Sequence, residues 1–300
     1  MYDIIIIGGG PAGLTAALYA RRANKSVLVI EKATFGGQIT FSPKVENIPG
    51  FLSFSGNEFA EKLTEQVLEQ GAEVECAEVL GLKDGEIKTV ITDCGEYQGK
   101  AVIIATGAKH RMLGLDREDE FVGEGISFCA VCDGAFYEGK TVAVIGGGNS
   151  ALQEALLLCD LAKKVYVVQN LDFFTGEQKL AEQLKSKDNA KIILGTTVTE
   201  LVGEKELAGI KIKSNSGQTE VLNIDGMFVA IGLIPQNEAF AEHITLNDWG
   251  YAEAGEDCKT SAKGIFVAGD CRSKRIRQVA TAAADGAVAA LAACDYIDQK

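Results

Sequence analysis

Two cysteines and an acidic residue at positions 129–133 have the types and the spacing for disulfide chemistry. Cys129 and Cys132 enclose Ala and Val, and Asp133 follows directly. A dithiol of this spacing can reduce a disulfide, because one thiolate attacks the substrate sulfur and the second thiol resolves the mixed disulfide. A carboxyl beside it can supply or accept the proton that the exchange moves. We predict a redox site, against the alternative of two ordinary buried cysteines and a surface or capping Asp.

The first element needed to position this chemistry is a glycine-rich loop at residues 8–13, which is typical of a dinucleotide site. Residues 2–7 predict a buried strand, residues 14–22 a helix of small residues, and residues 26–30 a second strand. In such a unit the glycines allow a tight turn, close approach of a pyrophosphate and close helix packing, and an acid accepts hydrogen bonds from the ribose. The helix N-terminus faces the phosphates. These roles fall on Gly8, Gly10, Gly13 and Glu31.

The same order of elements recurs at residues 140–168. Residues 140–145 predict a strand, residues 152–161 a helix and residues 164–168 a second strand. The loop between them reads Gly-Gly-Gly-Asn-Ser-Ala, and its last residue is small enough for close packing. We predict a second dinucleotide fold, with NAD contacts at Gly146, Gly148, Asn149, Ser150 and Ala151. The alternative is a loop kept as architecture without a bound nucleotide.

The segment after the second nucleotide unit contains no cation. It reads Gln-Asn-Leu-Asp-Phe-Phe-Thr over residues 169–175. An NADP-specific site normally places a cation there, because a constrained phosphate dianion needs a counter-charge. We therefore expect NADPH to be disfavoured as the electron donor. No acidic residue ends the strand either, so the sequence permits NADH without selecting it.

Length, composition and charge predict a two-domain globular protein. The chain has 300 residues, of which 47% are apolar and 24% are charged. Its formal charge of −13 argues against nucleic acid and anionic lipid as general partners. The apolar run at residues 4–7 is too short to span a membrane and lacks the basic flank of a signal peptide. We expect a cytoplasmic protein with no nucleic-acid or membrane partner.

The cysteines and histidines predict neither a disulfide scaffold nor a metal centre. The chain has eight cysteines, and only the 129–132 pair has motif spacing. A structural zinc site would need a second close pair of ligands, and His110 and His243 are far apart in the sequence. We expect the other cysteines to be reduced packing or surface residues: Cys76, Cys94, Cys159, Cys258, Cys271 and Cys294.

Several other side chains have an ordinary and a functional interpretation. The basic cluster Arg272, Lys274, Arg275 and Arg277 is either a solvated loop or a surface that faces a phosphate or a partner. We interpret Trp249 and the Phe173-Phe174 pair as packing residues, not as a stacking site. We interpret His110 as solvent-facing, although it could border a flavin.

Over nearly the whole chain these residues resemble the low-molecular-weight, bacterial-type thioredoxin reductases. Besides the first loop and the Cys-Ala-Val-Cys-Asp motif, five segments are similar to that family's FAD-contacting stretches. They read Gly-Gly-Gln at 36–38, Glu-Asn-Ile-Pro-Gly at 46–50, Ala-Thr-Gly-Ala at 105–108, Ala-Gly-Asp at 268–270 and Arg-Gln-Val-Ala at 277–280. The resemblance implies FAD contacts at Gly8, Gly10, Pro11, Ala12, Gly13, Glu31, Lys32, Gly37, Gln38, Asn47, Ala105, Thr106, Gly107, Gly269, Asp270, Arg277, Gln278, Val279 and Ala280.

The resemblance also implies a fold and a division of labour. The fold would be α/β, with two Rossmann-like three-layer domains of the pyridine nucleotide-disulfide oxidoreductase type. Residues 1–112 and 241–300 would form the FAD domain, and residues 113–240 would form an inserted NAD(P)-type domain that contains the dithiol. Cys132 would take electrons from the flavin, Cys129 would attack the substrate disulfide, and Asp133 would be the acid or base. The family is homodimeric, so we expect a homodimer.

The chain departs from the family pattern after the second nucleotide unit. NADPH-dependent members have His-Arg-Arg and a further Arg where this chain has Gln169, Asn170, Leu171 and Thr175. The resemblance then allows NADH, reduced ferredoxin or another donor. The expected acceptor is the disulfide of thioredoxin or a thioredoxin-like protein. The alternatives are a peroxiredoxin-type or glutaredoxin-type partner, or a flavin-bearing redox sensor with a vestigial nucleotide domain.

Overall fold

Runs of isoleucine and valine form the buried strands of the protein. The structure is a computed structural model that describes residues 1–42 and 44–299. Ile4, Ile5 and Ile6 are each fully buried, as expected for a strand of a parallel sheet that is covered on both faces. The strands predicted at residues 2–7 and 164–168 have those bounds in the structure. The two helices after the glycine-rich loops begin three residues earlier than predicted, at Pro11 and Asn149.

Contacts between residues divide the chain into two units. The first unit contains residues 1–44, 48–109 and 234–300, and the second contains residues 45–47 and 110–233. The predicted domain boundaries were 112 and 241, so the chain changes unit three residues earlier and seven residues earlier than expected. The assignment of FAD to one unit and a nucleotide to the other stays a prediction at this point.

The first unit contains strands from both ends of the chain and the three longest helices among the described residues. In chain order its elements are β1 (Tyr2–Ile7), α1 (Pro11–Arg22), β2 (Val27–Glu31), α2 (Gly56–Glu69), β3 (Glu73–Cys76), β4 (Val79–Lys83), β5 (Lys88–Thr92), β6 (Glu96–Ile104) and β7 (Ala108–His110), the last of which ends at the boundary. Short 3-10 helices lie at Gly37–Phe41, Glu238–Phe240 and Gly269–Cys271.

The second unit begins after β7 and contains α3 (Glu118–Phe121), β8 (Ile126–Ser127), α4 (Ala130–Asp133), β9 (Thr141–Ile145), α5 (Asn149–Cys159), β10 (Lys164–Val168), α6 (Gln178–Lys185), β11 (Ala190–Ile193), β12 (Thr196–Gly203), β13 (Leu207–Ser214), β14 (Thr219–Asn223) and β15 (Gly226–Val229). A 3-10 helix follows α4 at Gly134–Tyr137. The chain then passes through β16 (Leu233–Pro235) and completes the first unit with β17 (Ile265–Val267) and α7 (Val279–Asp298).

The first unit is built on a mixed sheet. The strand order is β3-β2-β1-β6-β5-β4, and β17 also pairs with β6. Strands β1, β2, β3, β6 and β17 pair in parallel, whereas β4, β5 and β6 form an antiparallel meander. The nine-residue β6 serves both arrangements, because its first half pairs with β5 and its second half with β17.

Small residues bring α7 against α1 on one face of this sheet. A Cβ atom on Gly286 would lie 2.1 Å from the carbonyl oxygen of Ala12, so only glycine allows the two helices to approach this closely. Helix α7 is long and apolar enough to pass a length and composition test for a membrane span. Its buried face, which includes Ala289, Ala290 and Ala293, belongs to the same core cluster as α1. The packing identifies it as a core helix of the first unit.

The second unit contains a parallel sheet and a separate antiparallel one. The parallel sheet has the order β11-β10-β9-β15-β8, and the antiparallel sheet has the order β12-β13-β14. Helix α5 packs on the parallel sheet through Leu152, Ala155 and Leu158, which belong to one buried cluster with Val142 and Val167. Both units therefore have the strand, glycine-rich loop, helix and strand order of a Rossmann unit. This confirms the predicted α/β fold class.

Candidate functional site

The first glycine-rich loop joins β1 to α1 and has room for a ligand at one position. Gly8 has a φ of +111°, and a Cβ atom there would lie 2.2 Å from the carbonyl oxygen of Ala105. A Cβ atom on Gly13 would lie 1.9 Å from the carbonyl oxygen of Gly8. By contrast, a Cβ atom on Gly10 would meet nothing closer than 3.9 Å. Gly8 and Gly13 are thus required by the fold, whereas Gly10 leaves open space in front of α1.

Glu31 at the end of β2 is held by backbone amides of this loop region. Its Oε2 accepts a hydrogen bond from the amide of Gly9 at 2.7 Å, and its Oε1 accepts one from the amide of Ala33 at 2.9 Å. These bonds orient the carboxylate beside the loop. The neighbouring Lys32 forms an exposed ion pair with Glu78 at 3.3 Å. Contacts of Glu31 and Lys32 with a ribose or phosphate remain predictions.

Asp270 lies after β17 and close to the start of α1. A Cβ atom on Gly269, which has a φ of +79°, would be 2.8 Å from the Cβ atom of Ala12. The Oδ1 atom of Asp270 is shielded from solvent and has no hydrogen-bond partner among the described residues. Burial raises the pKa of this carboxyl, although Lys274 and Arg277 lower it. A buried carboxyl oxygen without a partner fits a ligand with hydroxyl groups, as FAD has.

The remaining predicted FAD residues are distributed around the same unit, with one exception. The side chain of Gln38 donates to the carbonyl of Ala108, and Thr106 donates to Asn237 at 3.4 Å. Gln278 is the N-cap of α7 in a capping box with Thr281. The other members in this unit are Pro11, Ala12, Gly37, Ala105, Gly107, Val279 and Ala280. Asn47 is the exception, because residues 45–47 group with the second unit.

The basic cluster at residues 272–277 is neither a wholly solvated loop nor a single charged surface. Arg272 is buried and forms two hydrogen bonds to Asp285, at 2.8 and 2.9 Å, and Lys274 contacts the same carboxylate at 2.8 Å. Arg277 lies over the ring of Tyr251 at 4.3 Å. Only Arg275 is exposed. The solvated interpretation is therefore wrong for Arg272 and Lys274, whose charges are used inside the unit.

The predicted dithiol is a disulfide in the structure. Cys129 and Cys132 are bonded, with their Cα atoms 5.3 Å apart. Cys129 is the N-cap of α4, and its Sγ accepts a hydrogen bond from the amide of Cys132 at 3.2 Å. The intervening Val131 is exposed. The other six cysteines are free, with Cys76 and Cys94 exposed and Cys159, Cys258, Cys271 and Cys294 buried.

Asp133 is partly buried beside the disulfide and is not a surface residue. The hydroxyl of Ser127 donates to its Oδ2 at 2.6 Å, while its Oδ1 is shielded from solvent and unpaired within the described residues. Burial raises the pKa of Asp133, and the hydrogen bond from Ser127 lowers it by a smaller amount. The same hydroxyl accepts from the amide of Cys129 at 3.1 Å. The site therefore combines a disulfide-bonded cysteine pair with a carboxyl whose burial favours its protonated form.

The second glycine-rich loop lines a cavity of about 600 Å³ in the second unit. A Cβ atom on Gly146 would lie 2.4 Å from the carbonyl oxygen of Ala230, whereas one on Gly148 would meet nothing closer than 3.8 Å. The loop also contributes Asn149 and Ser150 to the lining, and Ala151 is fully buried behind it. The geometry repeats that of the first loop: one glycine is required by the fold and another leaves space for a ligand.

The lining of this cavity contains no charged side chain among the described residues. Gln169 directly follows β10, is 6% exposed, and lies over Gly147, where a Cβ atom would be 2.5 Å from its amide group. Asn170, Leu171 and Thr175 complete this side of the cavity. A 2′-phosphate in such a cavity would lack the counter-charge that an NADP site provides.

Two predictions about aromatic and imidazole side chains are wrong. His110 is not solvent-facing: its ring stacks on Phe128 at 4.4 Å, and burial lowers its pKa to about 4. Trp249 and Phe173 are not packing residues, because they are 75% and 60% exposed. Phe174, by contrast, packs against the core of the second unit.

Sequence reasoning missed two polar residues near the disulfide. Ser127 lies two positions before Cys129, a spacing that could have indicated its hydrogen bond to the redox motif. Glu154 occupies the apolar stripe of α5 formed by Ala151, Ala155 and Leu158, and an acid on such a stripe is unusual. Within residues 1–42 and 44–299 no group of His, Cys, Asp and Glu side chains could hold a metal ion.

The fold and the site together are those of an oxidoreductase with two Rossmann-type units and a disulfide between Cys129 and Cys132. Residues 2–286 match the model of the pyridine nucleotide-disulphide oxidoreductase family, and the chain belongs to that family. A 34.2 kDa protein in the rubredoxin operon of Clostridium pasteurianum is 43% identical, over 99% of this chain and 98% of that protein. The thioredoxin reductase of Bacillus subtilis (strain 168) is 40% identical, over 100% of this chain and 96% of that protein.

Solved structures agree with this assignment. The crystal structure of thioredoxin reductase from Streptococcus pyogenes MGAS5005 has a TM-score of 0.95 and 37% sequence identity, and the match covers 100% of this chain and 99% of that one. The chain is thus a flavoprotein oxidoreductase that is similar to the thioredoxin reductases over its whole length. This confirms the family resemblance seen in the sequence. The family implies FAD and a pyridine nucleotide as cofactors.

Proposed function

We propose that the chain is an FAD-dependent disulfide reductase that passes two electrons through Cys129 and Cys132 to thioredoxin or a thioredoxin-like protein. The observation that supports this most directly is the disulfide between these cysteines beside the buried carboxyl of Asp133. The printed names of the Bacillus subtilis and Streptococcus pyogenes relatives, both thioredoxin reductases, support the choice of partner.

Each residue of the site has a chemical role in this proposal. FAD, held by the first unit, would accept two electrons, either as one hydride from NADH or singly from two reduced ferredoxins, and supply both to the Cys129–Cys132 disulfide. Cys132 is the sulfur that takes the electrons, and Cys129, once reduced, attacks the partner's disulfide as a thiolate. Cys132 then displaces the partner's second sulfur, which closes the disulfide again. Asp133 gives a proton to the leaving thiolate or takes one from the attacking thiol.

The electron donor in this proposal is NADH or a protein donor such as reduced ferredoxin, and not NADPH. The lining around Gln169 supports the exclusion of NADPH, because none of its described residues has a charge that could neutralise a 2′-phosphate. The open position at Gly148 supports a pyridine nucleotide in the same cavity. The alternative is that the second glycine-rich loop binds no nucleotide. In that case the donor would be a protein such as reduced ferredoxin.

Anaerobic reduction of the purified yellow holoprotein distinguishes the donors. Flavin bleaching is followed after addition of NADPH, NADH and reduced ferredoxin, each to a separate sample. We expect rapid bleaching with NADH or with ferredoxin and slow bleaching with NADPH. Rapid bleaching by NADPH at low concentration would contradict the argument from the missing cations. Bleaching by ferredoxin but by neither pyridine nucleotide would indicate that the loop at residues 146–151 has a structural role and binds no nucleotide.

Turnover with candidate acceptors distinguishes the partner and tests the enzyme itself. We expect continuous reduction of thioredoxin, and replacement of either cysteine by serine should stop it while flavin binding is kept. If a peroxiredoxin-type or glutaredoxin-type protein is reduced faster than thioredoxin, the proposed partner is wrong but the proposed role of the two cysteines stands. A protein whose flavin is reduced but never passes electrons to a disulfide would be a redox sensor, and the proposal would fail.

The proposal includes three expectations about organisation. The first unit would hold FAD through residues 1–44, 48–109 and 234–300, and the second would hold the donor-side nucleotide. We expect a homodimer, and light scattering of the holoprotein would test it. We also expect a cytoplasmic location, where the reducing environment keeps the six other cysteines as thiols.

A further inference from the structure

A carboxyl group that the proposed reaction does not use lies against the dithiol turn. Glu154 is in the middle of α5, and its carboxyl accepts a hydrogen bond from the backbone amide of Ala130. The nitrogen of Ala130 is bonded to the carbonyl carbon of Cys129. The Oε2 atom of Glu154 is shielded from solvent and has no hydrogen-bond partner among the described residues. The carboxyl therefore lies next to the residue that follows Cys129.

The environment of Glu154 favours its neutral form. Burial raises its pKa to about 8, and the amide of Ala130 lowers it by a smaller amount. The elements that pack against α5 are α4, α6, β9 and β10, and their titratable groups besides the cysteines are Asp133, Lys164, Tyr166, Lys179, Glu182 and Lys185. None of these groups contributes to the shift. Near neutral pH the carboxyl can thus hold a proton without a counter-ion.

We propose that Glu154 is a positioning residue of the Cys129–Cys132 couple: its buried carboxyl lies against the backbone of the redox turn at Ala130, and a negative charge there opposes the thiolates and favours the disulfide. This inference rests on the proposed redox function of the two cysteines. It adds a second proton-holding carboxyl to the one at Asp133, and it makes α5 a link between the nucleotide loop at Gly148 and the redox turn at Ala130.

The direction of the effect follows from the charges in the two redox states. Reduction adds two electrons and two protons, breaks the sulfur–sulfur bond and forms two thiols. At alkaline pH one thiol loses its proton, so that the reduced state becomes anionic while the disulfide stays neutral. An ionised Glu154 next to the redox turn raises the energy of that thiolate, because the intervening medium has a low dielectric constant. Glu154 therefore stabilises the disulfide relative to the reduced state only at a pH where both its carboxyl and the thiol are ionised.

The thiol–disulfide equilibrium of the holoprotein tests the proposal. Wild type and Glu154→Gln are equilibrated anaerobically with mixtures of dithiothreitol and its cyclic disulfide, and the 129–132 peptide is quantified by alkylation and mass spectrometry. At about pH 6.5 we expect the same equilibrium in both proteins, since glutamine resembles the protonated acid. At about pH 9.5 we expect the wild-type disulfide to be favoured at least tenfold over that of the variant, or about 30 mV for this two-electron couple.

Two further variants make the result specific. Glu154→Met, which is also neutral, should have the same thiol–disulfide equilibrium as Glu154→Gln if the charge of Glu154 matters. It also provides a second measurement of that equilibrium if one variant folds poorly. Gln153→Glu places a carboxylate at the neighbouring exposed position, and it should leave the equilibrium unchanged because water screens it. Flavin absorbance and thermal unfolding of each protein monitor the fold.

The outcomes separate this inference from the proposed function. Equal equilibria of wild type and both neutral variants from about pH 6.5 to about pH 9.5 would overturn the inference. So would a difference that is already complete at the lower pH, since Glu154 would then be charged throughout. Failure of the 129–132 disulfide to reduce and re-form in any of the proteins would instead refute the redox function on which the inference rests.

Discussion

At the scale of single residues, the site depends on carboxyl groups that lack a full set of partners. Asp133 has one oxygen bonded to Ser127 and one shielded and unpaired, and Asp270 has the same kind of unpaired oxygen in the other unit. Unpaired buried acids are costly, so they persist where a ligand or a proton satisfies them for part of the cycle. Ser127 donates a hydrogen bond to Asp133, so replacing Ser127 changes the environment of the acid and leaves the acid in place.

Replacement of Ser127 by alanine should move the pH dependence of disulfide reduction. The Ser127 hydrogen bond lowers the pKa of Asp133, which burial raises. Without the hydroxyl the pKa rises further, so the limb of the kcat/KM profile that belongs to Asp133 should move to higher pH. A hydrogen bond contributes about 1 kcal/mol, so a shift of somewhat less than one pH unit is expected.

Asp133→Asn is the control for the assignment of this limb. It should abolish the limb and lower kcat/KM by about 10²-fold, the usual contribution of a general acid or base. Flavin absorbance should not change in either variant. A Ser127→Ala limb that moves to lower pH, or an Asp133→Asn profile that keeps the limb, would show that another group titrates.

At the scale of elements, each glycine-rich loop separates positions required by the fold from positions open to a ligand. This separation gives a matched pair of variants. Gly13→Ala would place a methyl group 1.9 Å from the carbonyl oxygen of Gly8 and force α1 away from β1. Gly10→Ala meets no atom closer than 3.9 Å. We expect Gly13→Ala to lower the free energy of unfolding of the flavin-free protein by about 2 kcal/mol or more.

Gly10→Ala should leave that stability nearly unchanged and weaken flavin binding instead, because its methyl group occupies the space before α1 where a pyrophosphate would approach. Chemical denaturation of the flavin-free protein and fluorescence titration with FAD measure the two effects separately. Equal loss of stability in both variants would contradict the distinction between the two glycines.

The cavity beside β10 gives the second prediction at this scale. Asn170→Arg combined with Leu171→Arg adds two cations to an uncharged lining. If the second loop binds a dinucleotide, the double variant should be reduced by NADPH at least about tenfold more efficiently than wild type, because charge-assisted bonds to the 2′-phosphate contribute more than 1.4 kcal/mol. The matched control with Asn170→Gln and Leu171→Met adds no charge and should gain nothing. No gain in the arginine variant would indicate a loop that does not bind a nucleotide.

Much of both Rossmann units could be predicted from the sequence because the pattern is local. Strand, glycines, helix and strand follow one another within about thirty residues, and β10 has the predicted bounds Lys164–Val168. The helix starts were missed because Pro11 and Asn149 belong to the loop motifs and yet adopt helical geometry. The partner of Arg272 was missed because Asp285 is thirteen residues away on α7 and no local pattern connects them.

At the scale of the whole molecule, the chain is strongly acidic and uses several of its cations internally. Arg272 and Lys274 both contact Asp285, and the amide of Gly269 donates to the same carboxylate at 3.0 Å. Burial raises the pKa of Asp285, but the hydrogen bonds from Arg272 and Lys274 outweigh it and hold the pKa below its usual value. This network fixes the segment that follows Asp270.

Asp285→Asn should therefore destabilise the protein. It would leave Arg272 buried without its counter-charge, which costs about 3–5 kcal/mol in comparable pairs. Denaturant unfolding at neutral pH measures the loss, and Glu96→Gln, which breaks an exposed pair with Lys83, should change stability little. Because the pKa of Asp285 is lowered in the folded state, its contribution is present above the unfolded pKa and lost as the pH falls through the folded one. The variant and wild type should converge in strong acid.

The contact between Gly286 and Ala12 has a consequence for the order in which the two units can form during synthesis. Helix α1 is among the first segments to leave the ribosome, but the helix that packs on it and the strand before Asp270 are among the last. The second unit is nearly continuous from residue 110 to residue 233 and has its packing partners at hand much earlier. We therefore expect a nascent chain to form the turn at Cys129–Cys132 before the space beside Gly10 is complete, so that any flavin that the first unit binds is bound only after the C-terminal helix has been synthesised.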